Sequence, residues 1–166
     1  MNFSSPELFS KAKDFLSEHQ TELIEDTQLV LKKLQITDDI SDYSFIVASV
    51  AKAYEGFVKD FFLKIKVISI EEYEGERFRV GKTLNPSLRY KRFSVFQKLA
   101  NYHDKGEELA ETLWDAWKFG RNEIFHYFPH NYKSLSRQEA EERIELLLNA
   151  IIKAGEFIEQ EKKTAY

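Results

Sequence analysis

The sequence contains no cysteine and very little glycine or proline. The absence of cysteine excludes disulfide bonds, thiolate zinc sites and cysteine nucleophiles. Gly and Pro number 6 and 3 among 166 residues, which is roughly half of their average usage. A β-sandwich or barrel needs a turn every 8–12 residues or so, and this scarcity therefore argues against both folds.

Long apolar runs are also missing. No segment approaches the roughly 18 apolar residues of a membrane span, and the N-terminal residues become polar and charged too early for a signal peptide. What is present is a globular mixture, with 43% hydrophobic and 31% charged residues. We therefore predict one soluble, cytoplasmic domain that comprises residues 1–166 and makes no contact with a membrane.

Apolar residues recur with a helical period through most of the chain. The longest such pattern, from Tyr43 to Ile65, predicts a central core helix. Ser136 and Glu139 have the spacing of a capping box at the start of a final helix. Together the patterns predict an all-α fold, a single bundle of five or six helices. Residues 67–85 break the period, and they fit either an irregular insertion or a short β-hairpin.

Two further helices are predicted in the second half of the chain. Asn85 and Pro86 resemble a helix start, with apolar residues continuing to Leu99. Another helix is expected to begin after Gly106 and to continue to Pro129.

Basic residues are concentrated in one segment of an otherwise acidic chain. The net charge is −4, yet residues 77–105 contain eight Lys or Arg residues and a single acidic residue. Local charge attracts a phosphate backbone whatever the net charge is. The segment is thus either a nucleic-acid-binding surface or a solvated basic surface.

Two familiar motifs are not supported. Residues 75–83 resemble a phosphate-binding loop, but five residues separate the two glycines where the motif has four. His126 and His130 have a spacing that suits a metal on a helix, but Pro129 lies between them and no acidic residue completes a ligand set. We expect neither a metal nor a cofactor.

The string Arg121-Asn122-Glu123-Ile124-Phe125-His126 carries the most chemical information. If the helix continues through it, His126 points away from the apolar stripe around Trp117, in company with Phe119, whereas Arg121 stays near that stripe. A titratable group beside an aromatic ring on an outer face suggests a surface for a partner. Alternatively, His126 interacts only with the C-terminus of the helix.

Arginine and histidine suit the cleavage of RNA without a metal. In that reaction the 2′-hydroxyl attacks the adjacent phosphate and leaves a 2′,3′-cyclic phosphate. It needs a base, an acid and positive charge on the phosphorane. Histidine can exchange the proton, arginine can hold phosphate oxygens through two donors, and Asn122 can position either group.

The string resembles the R-N-x-x-x-H signature of the HEPN superfamily. The segment SVAKAYEGFVKDFF is similar to the first long HEPN helix, which has an acidic residue where Glu55 lies, and SRQEAEERIELLLNAIIKAGEFI is similar to the closing helix. The resemblance covers residues 41–160, and the aromatic-rich AKAYEGF stretch is similar to the RnlA/LsoA toxin branch in particular.

The resemblance implies a function. Active HEPN domains are metal-independent endoribonucleases, and they place two copies of the motif in one cleft of a two-fold dimer. It implies a toxin or phage-defence effector that is covered by an antitoxin or inhibitor protein. The alternative is a non-catalytic HEPN domain that binds nucleotide or RNA, or that scaffolds a complex.

The resemblance also assigns roles to residues. Arg121, Asn122, His126 and Glu55 are the expected catalytic residues, with Glu55 orienting Arg121 or His126. Phe119 and Phe125 are expected at the dimer interface. The local positive charge, and not the resemblance, identifies the basic residues expected to bind RNA, namely Arg77, Arg79, Lys82, Arg89, Lys91 and Arg92.

Overall fold

The structure is a computed structural model that describes residues 6–34 and 39–164. Within these ranges the α-helices are α1 (Pro6–Lys13), α2 (Glu18–Lys33), α3 (Ala48–Lys64), α4 (Ile70–Glu74), α5 (Val80–Leu84), α6 (Val95–Ala100), α7 (Gly106–Trp117) and α8 (Arg137–Thr164). Three 3₁₀ turns (Tyr43–Val47, Pro86–Leu88 and Pro129–Asn131) and a π-helical turn (Lys118–Asn122) lie between them. None of the described residues is in a β-strand, and the predicted all-α fold is confirmed.

Helix α3 is the central element of the bundle. It packs against α2 on one side and α8 on another, because apolar residues occur on most of its circumference. Its Tyr54 is completely buried, and the hydroxyl donates to the carbonyl of Leu113 in α7 at 2.6 Å. Burial raises the pKa of Tyr54 well above its ordinary value, because the charged form would lose its hydration.

Helix α8 begins with the predicted capping box. Glu139 N lies 3.2 Å from Ser136 Oγ, and Ser136 N donates to Glu139 Oε2 at 2.8 Å. Further along the helix, Ile144, Leu147 and Ile151 are buried. This face closes the core against α3 and α7.

The prediction for residues 67–85 is wrong in detail. The segment forms two five-residue helices, α4 and α5, so the β-hairpin is corrected to helix. A capping box of Ser69 and Glu72 starts α4, and burial of Val80 and Leu84 holds α5 against the core. These two elements raise the number of α-helices in residues 6–34 and 39–164 to eight, above the predicted five or six.

Both helices predicted in the second half of the chain are shorter than expected. The segment after Asn85 forms only a 3₁₀ turn, and α6 starts later, where Ser94 Oγ lies 3.2 Å from Gln97 N. The last turn of the α7 region is π-helical and ends at Asn122 rather than at Pro129.

No helix in residues 6–34 and 39–164 combines the length and the apolar composition that a bilayer-spanning segment needs.

Candidate functional site

A π-helical turn at the end of α7 positions the start of the R-N-x-x-x-H motif. Glu123 N donates to the carbonyl of Lys118 at 3.0 Å, five residues back along the chain. Single π-turns of this kind are rare and are frequent at functional sites. Gly120 lets the turn lie directly on α8, since a Cβ there would be only 2.7 Å from Leu147 Cγ.

Arg121 points from this turn toward α3. Its Nε donates to Glu55 Oε2 at 3.1 Å, and the two side chains are 36% and 34% exposed. The guanidinium also lies 5.9 Å from the ring centroid of Trp117. Within the described residues Nη1 and Nη2 have no hydrogen-bond partner. These two nitrogens therefore offer a fork of donors to an anion at the surface.

His126 lies four residues beyond Asn122, in an irregular segment after the π-helical turn. The ring is exposed, and its Nε2 lies 3.2 Å from Asn122 Oδ1. When Nε2 carries the proton it donates to this oxygen, and Nδ1 is then the ring nitrogen that can accept a proton. The exposure agrees with the sequence prediction, but it arises because the chain has left the helix and not from the angular position assumed for His126.

Aromatic side chains surround the motif. Phe125 is 45% exposed and Tyr127 is 80% exposed, on either side of His126. Phe119 is partly buried, with Lys118 Nζ 4.7 Å and the guanidinium carbon of Arg143 5.9 Å from its ring centroid. Of the two phenylalanines expected at a dimer interface, Phe125 is thus the one that presents the larger free surface.

A carboxylate that the sequence did not single out holds the loop after the motif. Asp42 Oδ1 accepts from Leu135 N at 3.1 Å and from Ser44 N at 2.9 Å, and Oδ2 accepts from Asn131 Nδ2 at 3.2 Å. The Ser44 hydroxyl also donates to Oδ1 at 2.6 Å. Burial acts to raise the pKa of Asp42, but the hydrogen bond from the Ser44 hydroxyl, together with those from Ser44 N, Leu135 N and Asn131, outweighs it and lowers the pKa. Asn131 and the preceding His130 both have positive φ. No sequence pattern indicates this contact, because its partners are about 90 residues apart.

The basic segment lies against the motif through Trp117. Gly81 in α5 has no room for a Cβ, because the indole ring of Trp117 occupies that position. The adjacent Lys82 is exposed, with its Nζ 4.8 Å from the ring centroid of Phe93. Since Trp117 also contacts the guanidinium of Arg121, one indole connects the basic segment with the motif.

The six basic residues expected to bind RNA are not equivalent. Five of them are exposed, namely Arg77, Arg79, Lys82, Lys91 and Arg92. Arg89 is partly buried, and it pairs with Glu107 at 2.9 Å and donates to Gln97 Oε1 at 3.0 Å. The charge of Arg89 is thus largely neutralised by its partners within the fold.

Among residues 6–34 and 39–164, no group of three or more His, Cys, Asp or Glu side chains is arranged to hold a metal ion.

Comparisons of the chain with protein-family models, with curated proteins and with solved structures find no match. The resemblance to HEPN domains therefore stays a prediction from the motif and from the two similar helices.

Proposed function

We propose that this chain is a metal-independent endoribonuclease of the HEPN type, with Arg121, Asn122, His126 and Glu55 as its site residues. One observation carries the proposal. Arg121 in the π-helical turn presents two Nη donors that have no partner among the described residues, and His126 in the segment that follows presents an exposed imidazole held by the side-chain amide of Asn122. A phosphate-binding fork and a proton-transfer group are the two functions that RNA transphosphorylation requires.

The reaction assigns one task to each group. A histidine removes the proton of the 2′-hydroxyl while the 2′-oxygen bonds to phosphorus. The bond from phosphorus to O5′ breaks, and a second histidine protonates the leaving O5′. The products are a 2′,3′-cyclic phosphate and a 5′-hydroxyl. Arg121 stabilises the charge on the phosphorane oxygens, and Glu55 fixes the direction of its guanidinium.

A second copy of the chain supplies the second imidazole. Each motif contains one histidine, whereas the acid and the base must lie on opposite sides of the scissile bond. A two-fold axis beside His126 brings two motifs into one cleft. The exposed rings of Phe125 and Tyr127 support this position, since exposed aromatic residues are enriched at protein interfaces.

The RNA approaches along the basic segment. Arg77, Arg79, Lys82, Lys91 and Arg92 supply charge for the phosphates, and the nearby Tyr90 is 89% exposed and available for stacking. Their connection to Arg121 through Gly81 and Trp117 directs the strand toward the cleft.

The same resemblance leads us to propose a biological role as a cytoplasmic toxin or phage-defence effector. An uncontrolled ribonuclease damages the cell that makes it, so a dedicated antitoxin or inhibitor protein would cover the cleft.

Cleavage of RNA in excess EDTA tests the activity. We expect wild-type protein to produce 2′,3′-cyclic phosphate ends, identified by mass spectrometry. The variant His126→Ala should reduce the rate about a hundredfold or more, because general acid–base catalysis contributes at least that much. His19→Ala is the matched control, since the His19 side chain is 91% exposed on α2 and its ring lies beside Glu22, away from the motif.

Equal cleavage by wild type and His126→Ala, with the helical circular dichroism spectrum unchanged, would remove His126 from the mechanism. Binding of RNA by the wild type without any cleavage would favour the non-catalytic alternative. In cells, expression of the wild type should arrest growth and expression of Arg121→Ala should not. Equal growth of the two strains would contradict the role as a toxin.

A further inference from the structure

A cavity of about 240 Å³ opens beside the motif, between the π-helical turn, the loop after Pro129 and the start of α8. Pockets for drug-sized ligands measure about 300–1,000 Å³, so this one suits a single ring system. Two residues of its wall, Glu123 and Ile124, lie between Asn122 and His126 in the chain. A group in the cavity is therefore next to the motif.

The walls combine aromatic faces with charge. Phe119 and Tyr132 line the cavity. The Tyr132 ring packs edge-on with Phe128, with ring centroids 5.4 Å apart, and the residue is still 66% exposed, which leaves ring surface for stacking. The guanidinium of Arg143 also lines it, close to the Phe119 ring. Unpaired RNA bases are recognised by such surfaces, which stack on the base while hydrogen bonds read its edge.

Two carboxylates, those of Glu123 and Glu139, are among the acceptors in the wall. Glu139 is fixed by its hydrogen bonds with Ser136, which lower its pKa and keep it charged. Glu123 Oε2 is 3.4 Å from Lys133 Nζ. A carboxylate can accept two parallel hydrogen bonds, and the Watson–Crick edge of guanine presents adjacent N–H donors on N1 and N2. Cytosine presents one amino group there beside acceptors, which a carboxylate repels.

We propose that this cavity binds one guanine base of the RNA, stacked on Tyr132 and held at its N–H edge by Glu123. This inference rests on the proposed ribonuclease function, and it adds a preference for guanine at the nucleotide next to the cleaved bond.

Guanosine and cytidine are suitable probes, because they carry no phosphate for the basic segment to attract. In a nuclear magnetic resonance titration of the wild-type protein, guanosine should shift the signals of Phe119, Tyr132 and Glu123, and cytidine should bind much more weakly. Tyr132→Ala should weaken guanosine binding about tenfold through the loss of stacking. Tyr132→Phe keeps the ring and should retain binding, whereas Glu123→Gln should lose the preference for guanosine.

The inference is overturned if guanosine shifts no residue of the cavity, if cytidine binds equally well, or if Tyr132→Ala binds like the wild type. If the protein cleaves RNA but guanosine does not bind in the cavity, the base site alone is overturned. Guanosine in the cavity of a protein that leaves RNA intact would support the base site and overturn the proposed ribonuclease function.

Discussion

Glu55 and Arg121 form an ion pair whose two side chains are each about one-third exposed. Such pairs contribute about 0–1 kcal/mol to the free energy of unfolding, because solvent screens them and side-chain entropy opposes them. The pair thus matters more for the direction of the guanidinium than for stability. Glu55 is therefore a positioning residue, which acts through Arg121.

Glu55→Ala should lower the rate of RNA cleavage by about tenfold to a hundredfold, since small displacements of a binding group have costs of that order. The free energy of unfolding, from urea denaturation, should change by less than about 1 kcal/mol. Glu55→Gln retains an acceptor for Arg121 Nε, so its rate should lie between those of the wild type and Glu55→Ala.

A double-mutant cycle separates positioning from general structural damage. If Glu55 acts through Arg121, the substitution Glu55→Ala should have no further effect on cleavage in a protein that already carries Arg121→Ala. Independent, additive losses in the double variant would argue that Glu55 acts elsewhere.

At the scale of single residues, the sequence could predict a distant contact only where the family resemblance pointed to it. The family resemblance proposes that Glu55 orients either Arg121 or His126, and the structure pairs Glu55 with Arg121. Asp42 and Tyr132 could not be identified in this way. Their surroundings combine segments that are far apart in the chain, and no periodic pattern encodes such a meeting.

The long helices were predictable because apolar periodicity alone determines them. In α3 and α8 the buried residues follow a helical period over many turns, so local pattern and tertiary packing agree. The short elements α4 and α5 lack that length. Burial of Val80 and Leu84 and contact of Gly81 with Trp117 stabilise α5, and these interactions exist only after folding.

The end of α7 shows a different limit of sequence analysis. The sequence predicts that the helix ends at Pro129, but the chain leaves the helix after Asn122. The cause is packing on α8. Because Gly120 has no side chain, Leu147 packs directly against the turn, and the N–H of Glu123 bonds to the carbonyl five residues back instead of four. A stop of this kind depends on the neighbouring helix.

Gly120→Ala should destabilise the protein by about 1–3 kcal/mol, because the added Cβ would lie 2.7 Å from Leu147 Cγ. The sign is informative, since Gly→Ala within a helix ordinarily stabilises by about 0.5–1 kcal/mol. Gly56→Ala in α3 is the control. Its Cβ would meet only the end of the Gln20 side chain, at 3.1 Å, and the loss should be smaller. A Gly120→Ala protein as stable as wild type in urea would contradict this account of the turn.

The loop after the motif depends on Asp42. Residues His130 and Asn131 have φ values of 60° and 50°. This left-handed region costs about 1–2 kcal/mol for most non-glycine residues and less for asparagine, whose side chain can hydrogen-bond locally. The hydrogen bonds of Asp42 with Asn131 Nδ2 and Leu135 N offset this strain. The pKa of Asp42 is lowered first by the hydrogen bonds from the Ser44 hydroxyl and backbone N–H and then by those from Leu135 and Asn131, so the folded state binds a proton less readily than the unfolded state.

This shift has a defined consequence for stability as a function of pH. The contribution of Asp42 is complete above its unfolded pKa and is lost as the pH falls through its lower, folded pKa. Asp42→Asn should therefore cost about 1–2 kcal/mol at neutral pH, and its difference from wild type should shrink in acid. Denaturation curves across the acid range would show this. Asp104→Asn, at an exposed position, is the control, and a pH-independent difference for Asp42→Asn would contradict the assignment.

The whole molecule combines an acidic chain with one basic segment next to the motif. Because Trp117 contacts both, the proposed RNA-binding surface and the proposed catalytic residues meet at one end of α7. The central claim is made at this scale. In the proposed mechanism one subunit supplies only one of the two proton-transfer groups, so two copies of His126 serve one scissile phosphate.

Mixing subunits tests that claim most directly. Wild-type protein is allowed to exchange subunits with increasing amounts of His126→Ala protein, and RNA cleavage is measured in EDTA at constant total protein. If each site needs both histidines, mixed dimers are inactive, and the rate should fall as the square of the wild-type fraction. Mixing with His19→Ala should leave the rate unchanged. A rate that falls only in proportion to the wild-type fraction would contradict the composite site. So would an active wild-type protein that light scattering shows to be a monomer.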